Sequence, residues 1–463
     1  MIGASSCRVA AVPSLIDSLP GDVARELPAR IGKYPVLRRI GEGATSEVFL
    51  CRDAFHRRDV AIKRLRMTDS AGAEKRYGDR FFAAEAALVG RLQHPNVVEI
   101  YDAVADPVAP YLVMEYIAGG TLRSHCRSDR LMPLDQIIEL GFKCAMALSY
   151  VFCQGVIHRD VKPANLLTVT SDDGTVTDVK IADFGSAFNM TSDTTQIYRV
   201  GSLAYMSPEQ LDGSTLDSRA DMYSLGAVLY HLIAGRPPFD ADAHAAMMHQ
   251  VCHAQPQPLT EQRTGLAAAV DAVIQRALAK TPDARYPDWE AFAQALSGLI
   301  SGHQVPRGQL QGVLDSERFT LLRTLEFFAN FGDVELWEVV HRARWQRFAA
   351  GHALYRKDEE GGSSFHIIAQ GAVEVIRNGE VVVRLGAGTS VGEMAYLAPN
   401  PELRRHSTDV IVTDATTTIS FSAQTLAQTS PNCRHLFDEA FIRVLVRRLH
   451  AAHERLAHPR RIL

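Results

Sequence analysis

Short apolar stretches of strand type dominate the beginning of the chain, and longer stretches with helical spacing follow them. Tyr34 to Arg66 and Tyr111 to Tyr116 are rich in β-branched and aromatic residues and predict strands. Residues 81–92 place apolar side chains at helical spacing, and the apolar-rich residues 134–154 predict a long buried helix. The pattern therefore predicts a strand-rich unit followed by a mainly helical one.

Two segments carry no sustained periodicity. Residues 1–33 contain Ser, Pro and Gly and predict a mobile arm or a loosely packed cap. Residues 301–314, with Gly, Gln, Pro and His, predict a linker, and the next helical pattern becomes clear from Thr320.

Beyond residue 340 the pattern changes to short strands. Residues 373–385 alternate in two runs around an Asn-Gly pair, which is a strong hairpin signal. Short strands with glycines at their turns favour a jelly-roll β-barrel, and these glycines are Gly371, Gly386 and Gly388. Leu436 to Leu456 predicts a long amphipathic helix that follows the barrel.

One stretch concentrates polar groups between apolar flanks. Residues 156–167 read VIHRDVKPANLL, so a His, an Arg, an Asp, a Lys and an Asn lie between two apolar runs. Such a pattern predicts a loop that neighbouring strands hold in place. Residues 179–185 read VKIADFG and predict a second strand, which ends in Asp-Phe-Gly.

The order H-R-D-x-K-x-x-N followed by D-F-G resembles the catalytic loop and the metal-binding loop of protein kinases. The chain thus resembles the eukaryotic-like serine/threonine protein kinases of bacteria over about residues 34–300, which implies a bilobal α+β kinase fold. The resemblance implies that Asp160 accepts the substrate hydroxyl proton and that Lys162 steadies the γ-phosphate of ATP. It also implies that Asn165 and Asp183 bind Mg²⁺, or Mn²⁺ in its place.

The phosphates of ATP are expected to meet two further motifs. Residues 41–46 (GEGATS) form a glycine-rich turn between predicted strands, which by itself is equally consistent with a tight hairpin. The V-A-I-K sequence that ends at Lys63 follows, and the resemblance makes this lysine the contact of the α- and β-phosphates. Glu85 is then its ion-pair partner, although the residues alone suggest a solvated helix glutamate and Glu74 competes for the role.

The resemblance also implies the walls of an ATP site. Met114 takes the gatekeeper position, and the backbone of Glu115 and Ile117 is expected to hold the adenine edge. Each apolar residue of the site could equally belong to the hydrophobic core, and both interpretations can hold at once. The expected ATP contacts are Ile40, Gly41, Glu42, Gly43, Ala44, Thr45, Ser46, Val48, Ala61, Lys63, Met114, Glu115, Ile117 and Leu167.

Residues 186–201, which follow Asp-Phe-Gly, are rich in hydroxyl groups and correspond to an activation segment. Thr194 and Thr195 are the expected phosphorylation sites, because a phosphate there could pair with Arg159. Ser202 is expected to contact the catalytic loop instead. The expected scaffold contacts are an ion pair between Glu209 and Arg285 and hydrogen bonds from the catalytic loop to Asp221.

Residues 391–397 (VGEMAYL), followed by Arg405, resemble a cyclic-nucleotide-binding domain over about residues 320–456. The resemblance implies that Gly392, Glu393 and Arg405 contact the ribose and the cyclic phosphate. Ser407, or Thr408 in its place, could add a hydroxyl donor. The loop between Glu393 and Arg405 is longer than in the family, contains two prolines and carries a second arginine, Arg404. His406 replaces a small residue. A barrel that serves docking or dimerisation without a nucleotide is therefore the alternative.

Composition adds few constraints. The 463 residues are 46% hydrophobic and 22% charged, and the net charge of −4 gives no overall attraction to nucleic acid or anionic membranes. Seven scattered cysteines without a CxxC pair favour a reducing compartment over a disulfide framework or a zinc site. No apolar run reaches about 18 residues, so we expect a cytoplasmic protein without a membrane span.

The sequence therefore predicts an arm (1–33), a kinase domain (34–300), a linker (301–319) and a domain resembling cyclic-nucleotide-binding domains (320–463). We expect an ATP-dependent serine/threonine kinase that autophosphorylates, acts on protein substrates and is regulated by its C-terminal domain, with a cyclic nucleotide as candidate effector. The alternative is a pseudokinase scaffold. A DNA-binding factor is disfavoured, because the final helix leaves no room for a helix-turn-helix. The oligomeric state, a dimer included, is left open.

Overall fold

The computed structural model describes residues 27–43, 46–66, 82–106, 109–186, 188–189, 203–308, 313–361, 364–400 and 404–457. Several predictions fall outside these ranges. They concern the arm up to residue 26, Ala44 and Thr45 of the glycine-rich turn, Glu74, and the hydroxyl residues Thr194, Thr195 and Ser202.

The first lobe is an antiparallel six-stranded sheet in the order β1-β2-β3-β4-β6-β5. Phe49, Val60 and Tyr111 are among the buried side chains that pack against it. Since β1 pairs with β2, the sheet begins before the predicted boundary at residue 34. The strands are β1 (Arg30–Ile31), β2 (Tyr34–Glu42), β3 (Ser46–Asp53), β4 (Arg58–Leu65), β5 (Ile100–Val104) and β6 (Tyr111–Glu115).

The helix that carries Glu85 is shorter than the sequence predicts. Residues 82–86 are helical, whereas residues 87–91 form turns. Gly90 adopts a left-handed conformation with φ +69°, which ends a regular helix at low cost only for glycine. The apolar side chains Leu88 and Leu92 are nevertheless buried, so the helical spacing reflected burial rather than a continuous helix.

The second lobe is helical and surrounds α1 (Leu134–Cys153). By length and apolar content, α1 is the one helix in the described part of the chain that could span a membrane, but most of it is buried inside this lobe. The other helices of the lobe are α2 (Pro208–Asp212), α3 (Ser218–Ala234), α4 (His244–His253), α5 (Leu259–Gln262), α6 (Ala268–Ala277) and α7 (Trp289–Ser301).

Short strands beside α1 carry the two predicted catalytic loops. Residues 158–165 connect β8 to β9, and β10 ends two residues before Asp183. The Ala182 N–H donates to the Asn165 carbonyl at 2.9 Å, so the two loops meet. The strands here are β7 (Gly120–Thr121), β8 (Val156–Ile157), β9 (Leu166–Thr170), β10 (Val176–Ile181) and β11 (Phe188–Asn189), paired as β10-β9-β7 and β11-β8.

The C-terminal domain contains two antiparallel four-stranded sheets, in the orders β12-β19-β14-β17 and β13-β18-β15-β16, consistent with the predicted jelly roll. The predicted Asn378-Gly379 hairpin joins β15 to β16, and both residues have positive φ, as a tight hairpin turn requires. The strands are β12 (Arg344–Phe348), β13 (Ala353–Tyr355), β14 (Ser364–Gln370), β15 (Ala372–Arg377), β16 (Glu380–Gly386), β17 (Ser390–Val391), β18 (Asp409–Val412) and β19 (Thr416–Ser422).

Within the residues that the structure describes, five α-helices accompany these sheets: α8 (Asp315–Thr324), α9 (Asp333–Arg342), α10 (Glu393–Leu397), α11 (Ala423–Ala427) and α12 (Pro431–Ala457). Helix α8 starts within the predicted linker. The kinase residue Glu139 accepts hydrogen bonds from the N–H groups of Asp315 and Ser316, and so caps the first turn of α8. A cap supplied from 176 residues away leaves no local signal in the sequence.

Helices α8 and α9 pack directly on α1. Phe142 of α1, Phe319 of α8 and Trp337 of α9 form an aromatic cluster with ring centroids 5.4–6.1 Å apart, and all three side chains are buried. The core of the kinase lobe and that of the C-terminal domain are therefore continuous at this point.

A buried ion pair closes the helical lobe. The Arg285 guanidinium donates to both carboxylate oxygens of Glu209, at 2.6 and 2.8 Å, and also to the carbonyl of Ala279. The side chain of Arg285 is wholly buried, so the predicted partner, Glu209, is required to balance its charge.

We predict that Glu209→Ala lowers the free energy of unfolding by about 3–5 kcal/mol, because it leaves the buried Arg285 charge without its counterion. The matched control is Asp414→Ala, which breaks an ion pair with Arg384 in which both side chains are 58% exposed. That control should cost about 0–1 kcal/mol. Denaturant titration measures both, and equal losses would contradict the role assigned to the buried pair.

Candidate active site and candidate nucleotide pocket

One lysine joins the two lobes. Lys63 on β4 donates to both carboxylate oxygens of Glu85 at 2.9 Å, and to Oδ1 of Asp183 at 2.7 Å. The predicted Lys63–Glu85 pair is therefore present in the structure. It ties the helical turn of residues 82–86 to the loop that follows β10.

Burial and charge act together on these three groups. Burial lowers the pKa of Lys63, but the carboxylates of Asp183 and Glu85 raise it above its usual value. The ammonium therefore stays charged. Loss of hydration in the cleft raises the pKa of Asp183, but the charge and hydrogen bond of Lys63, together with the nearby Lys162 and His158, lower it by more, and the result is a pKa of about 2. Asp183 is thus ionised at neutral pH, as a metal ligand must be.

The catalytic loop holds Asp160 in place from two sides. Lys162 Nζ donates to Asp160 Oδ2 at 2.6 Å, and Asn165 Nδ2 donates to the same oxygen at 3.0 Å and to the Asp160 carbonyl at 2.9 Å. The structure thus brings three of the predicted site residues within hydrogen-bond distance of one another.

Asp221 of α3 braces this loop, as predicted. Its carboxylate accepts the N–H groups of His158 and Arg159 at 2.7 and 2.8 Å, and it is buried. Arg159 and Asp183 both have left-handed backbone conformations, with φ of +66° and +67°. Residues other than glycine adopt that region at a cost, which the hydrogen bonds to Asp221 help to offset at Arg159.

The predicted adenine site lies between the lobes. Val48 pairs with Lys63 across the sheet, Ala61 pairs with Met114, and Leu167 lies on β9 of the other lobe. The Glu115 N–H donates to the Glu99 carbonyl at 2.9 Å, so an adenine contact at this residue would use its carbonyl. Ile40, Val48, Met114 and Leu167 are only half-buried, which suits residues that line an open cleft.

The donor set also fits Mg²⁺. Asn165 uses its amide N–H group on Asp160, which leaves an oxygen as its remaining polar end, and Asp183 supplies an ionised carboxylate. Both are the oxygen ligands that Mg²⁺ prefers. In the described ranges no group of three or more His, Cys, Asp or Glu side chains could hold a metal ion, so phosphate and water oxygens would have to complete the coordination.

A second pocket, of about 980 Å³, opens between the barrel and α12. All four predicted contacts line it. Val375, Val383, Leu385 and Leu397 give it apolar walls, and Leu445, Ala451 and Ala452 of α12 lie along its rim, with the polar lining formed by Asp358, Gly392, Glu393, Arg405, His406, Ser407, Thr408 and Arg448.

The structure resolves the register of the long loop. Arg405 lines the pocket and donates to the Asp358 carbonyl at 2.8 Å, whereas Arg404 is bonded to the Ala398 carbonyl and is not part of the lining. His406 is buried against Tyr355, with ring centroids 4.1 Å apart, so it packs under the loop. Arg405 is therefore the arginine placed for an anion.

Glu393 has a partner that the sequence did not indicate. Its carboxylate is buried and pairs with Arg448 of α12, which also donates to the Ser390 carbonyl at 2.6 Å. Burial raises the pKa of Glu393, and Arg448 and the nearby Ser390 hydroxyl oppose that rise. Several arginines lie on α12, so only the packing of the helix could identify Arg448 as this partner.

Two polar atoms beside this pair lack a hydrogen bond of acceptable geometry in the described part of the chain. They are Oε2 of Glu393 and Oγ of Ser390. Gly392 lies between these two residues in the chain with φ +83°, and a Cβ atom there would lie 2.4 Å from the Tyr355 hydroxyl. Glycine is therefore required at this position by both its conformation and its contact.

Fold and site together define a protein kinase domain followed by a β-barrel of the cyclic-nucleotide-binding type. Residues 34–296 match the family model described as protein kinase domain, and residues 345–430 match the model described as cyclic nucleotide-binding domain. The first match covers more than half of the chain, which belongs to the protein kinase family.

Curated relatives agree with the class. The chain is 38% identical over 309 residues to serine/threonine-protein kinase PknB of Mycobacterium leprae, over 65% of this chain and 47% of that protein. It is 36% identical over 300 residues to PknB of Mycobacterium tuberculosis, over 63% and 46% of the two chains. A probable serine/threonine-protein kinase of Clostridium acetobutylicum is 33% identical, over 62% and 42%. The chain spans about half the length of the curated relatives it matches, which are named as serine/threonine-protein kinases.

We predict that Lys63→Met lowers the rate of phosphate transfer by roughly 10²–10³-fold, because it removes the cation shared by Glu85 and Asp183. Lys33→Met, at an exposed position of the same lobe, should leave the rate unchanged. The measurement is transfer of labelled phosphate from ATP to a generic basic protein. Near-normal turnover of Lys63→Met with intact folding would overturn the assignment of this site.

Proposed function

We propose that the chain is an ATP-dependent serine/threonine kinase that phosphorylates hydroxyl groups of protein substrates. The observation that carries the proposal is the complete set of charges around one cleft. Lys63 is shared by Glu85 and Asp183, and Asp160 is held by Lys162 and Asn165. A pseudokinase would have no need to keep all six groups in these two sets of contacts, so the scaffold alternative is less well supported.

The geometry divides the reaction among these residues. Asp160 would accept the proton of the attacking hydroxyl, and Lys162, 2.6 Å from its carboxylate, would turn toward the transferred phosphoryl group. Lys63 would orient the α- and β-phosphates. Bound Mg²⁺ would supply neutralisation of the phosphate charge, held by Asp183 and Asn165. Catalysis of this kind depends on positioning more than on covalent chemistry.

The proposal includes autophosphorylation of the activation segment. The hydroxyl-rich segment follows Asp183 directly in sequence, and Arg159 precedes the catalytic Asp160. A phosphate on Thr194 or Thr195 would add about −1.5 to −2 charges and could pair with a guanidinium. Ion pairing with Arg159 would then order the segment next to the catalytic loop.

The proposal also assigns regulation to the C-terminal domain, with a cyclic nucleotide as the effector. Glu393 and Ser390 offer buried oxygens suited to a ribose hydroxyl, and Arg405 offers N–H donors suited to the cyclic phosphate. Ligand binding can change the kinase rate only if the chain has a more active and a less active arrangement and these two bind the ligand with different affinity. The contacts of α8 and α9 with α1 give the domain a direct physical connection to the kinase lobe.

We predict that mass spectrometry finds phosphate on Thr194 or Thr195 in the wild-type chain and none in Asp160→Ala, because the phosphate comes from the chain's own active site. Incubating Asp160→Ala with active wild type tests transfer between molecules. Identical unphosphorylated segments in wild type and variant would contradict the proposal of autophosphorylation.

We predict that cyclic AMP or cyclic GMP binds the full chain in calorimetry and changes its kinase rate. Arg405→Ala should weaken binding by roughly 10–100-fold, because a charge-assisted hydrogen bond to the phosphate contributes about 1.5–3 kcal/mol. Arg404→Ala is the matched control, since this neighbouring arginine does not line the pocket, and it should bind normally. If neither nucleotide gives a heat of binding or a change of rate, the proposal of a nucleotide effector is wrong. The alternative, a barrel that serves docking or dimerisation, would then be favoured.

A further inference from the structure

The segment His94–Val98, which we call the bridging segment, connects two parts of the active site. It lies nine residues after Glu85 in the chain, and it pairs with the end of β10 just before Asp183. The Val98 N–H donates to the Ile181 carbonyl at 2.9 Å, and the Ile181 N–H donates to the Asn96 carbonyl at 2.8 Å. A shift of this segment would therefore move both carboxylates that share Lys63.

Helix α9 of the C-terminal domain contacts the bridging segment. The Trp337 indole lies over the His94 imidazole with ring centroids 6.4 Å apart and planes within 12°. Trp337 is 1% exposed and also packs on Phe142 of α1. The Asn96 N–H donates to Nδ1 of His94 in the plane of the ring at 3.1 Å, and the Tyr150 ring of α1 lies 5.2 Å from the imidazole, so the ring is held by its own segment, by α1 and by α9.

A chain of charges makes a second connection. Asn96 Nδ2 donates to Asp178 Oδ1 at 2.7 Å, and Lys143 of α1 donates to the same oxygen at 3.2 Å. Lys143 is also paired with Asp315 of α8 at 3.0 Å. With 6% of its side chain exposed, Lys143 depends on both carboxylates to stay buried as a charge.

We infer that Trp337 and Asp315 of the C-terminal domain are positioning residues for the phosphoryl-transfer site, acting through the bridging segment on Glu85 and Asp183. This role rests on the proposed kinase activity but not on cyclic nucleotide binding. In the described structure, the kinase lobe supplies only part of the packing around His94, through Tyr150 of α1. Trp337 supplies a wall behind His94, and Asp315 supplies a counterion that keeps Lys143 from drawing Asp178 away from Asn96.

A general docking role would predict something different. Any contact that holds the domains together would then matter equally, including Arg323 of α8, which joins Glu290 of the kinase lobe to Asp333 of α9. The two ion pairs of Arg323 make no contact with the bridging segment. Arg323→Ala is therefore a matched interface control for Asp315→Asn. Trp345→Ala is the control for loss of an indole, since Trp345 lies against Arg318 within the C-terminal domain.

The experiment compares full-length variants by amide hydrogen exchange and by steady-state kinetics. Trp337→Ala and Asp315→Asn should speed exchange at the Val98 and Ile181 amides and lower kcat/KM for ATP, each by roughly tenfold. KM for the protein substrate should not change, because the affected groups face the ATP phosphates. Trp337→Phe keeps an aromatic ring over His94 and should restore both readouts.

The outcomes separate the two ideas. Unchanged exchange at Val98 and Ile181 in a folded Trp337→Ala would overturn the positioning role, and so would an equal effect of Arg323→Ala or Trp345→Ala. If Trp337→Ala does not fold, Asp315→Asn carries the same test with little change of volume. An inactive wild-type chain would count against the proposed kinase function, whereas the exchange measurement would still judge the positioning role.

Discussion

The arrangement of the active site depends on one ammonium group that is mostly removed from water. Lys63 has three strong donors and two carboxylate partners, one on a helical turn of the first lobe and one on a loop of the second. Removing such a charge from water costs several kcal/mol unless its partners are close and well oriented. The site can therefore form only when the two lobes are correctly placed, which couples its chemistry to the whole kinase fold.

The same physical constraint recurs where the two domains meet. Asp135, Glu139 and Lys143 lie four residues apart on α1, and each is engaged by the chain beyond residue 305. Polar side chains on such a core helix are expensive to bury alone, so the C-terminal segment satisfies groups that the kinase lobe leaves inside. Buried polar contacts of this kind favour one docked arrangement over others.

The pocket of the C-terminal domain also contains a buried charge with a partner from a distant segment. Glu393 is buried and paired with Arg448, but the pairing occupies one oxygen, and the other has no well-oriented partner among the residues that the structure describes. A ligand hydroxyl could complete this set without breaking the ion pair. Because Arg448 belongs to α12, this ion pair links the barrel side of the pocket to that helix.

Local patterns in the sequence determined most of the kinase site. The H-R-D and D-F-G motifs follow from residue types at fixed spacings, because each lies in a short loop beside predictable strands. The Lys63–Glu85 and Glu209–Arg285 pairs were predicted only through the resemblance to protein kinases, because their members lie 22 and 76 residues apart and the residue types alone do not pair them. The jelly roll was equally readable from alternating strands and the Asn378-Gly379 turn. Contacts between distant segments were decided only by the tertiary structure. The cap on α8 from Glu139, the pairing of Arg448 with Glu393 and the packing of Trp337 on His94 join residues far apart in the chain. Their partners are chosen by how the domains pack, and a burial pattern shows that a side chain is inside without showing what it touches.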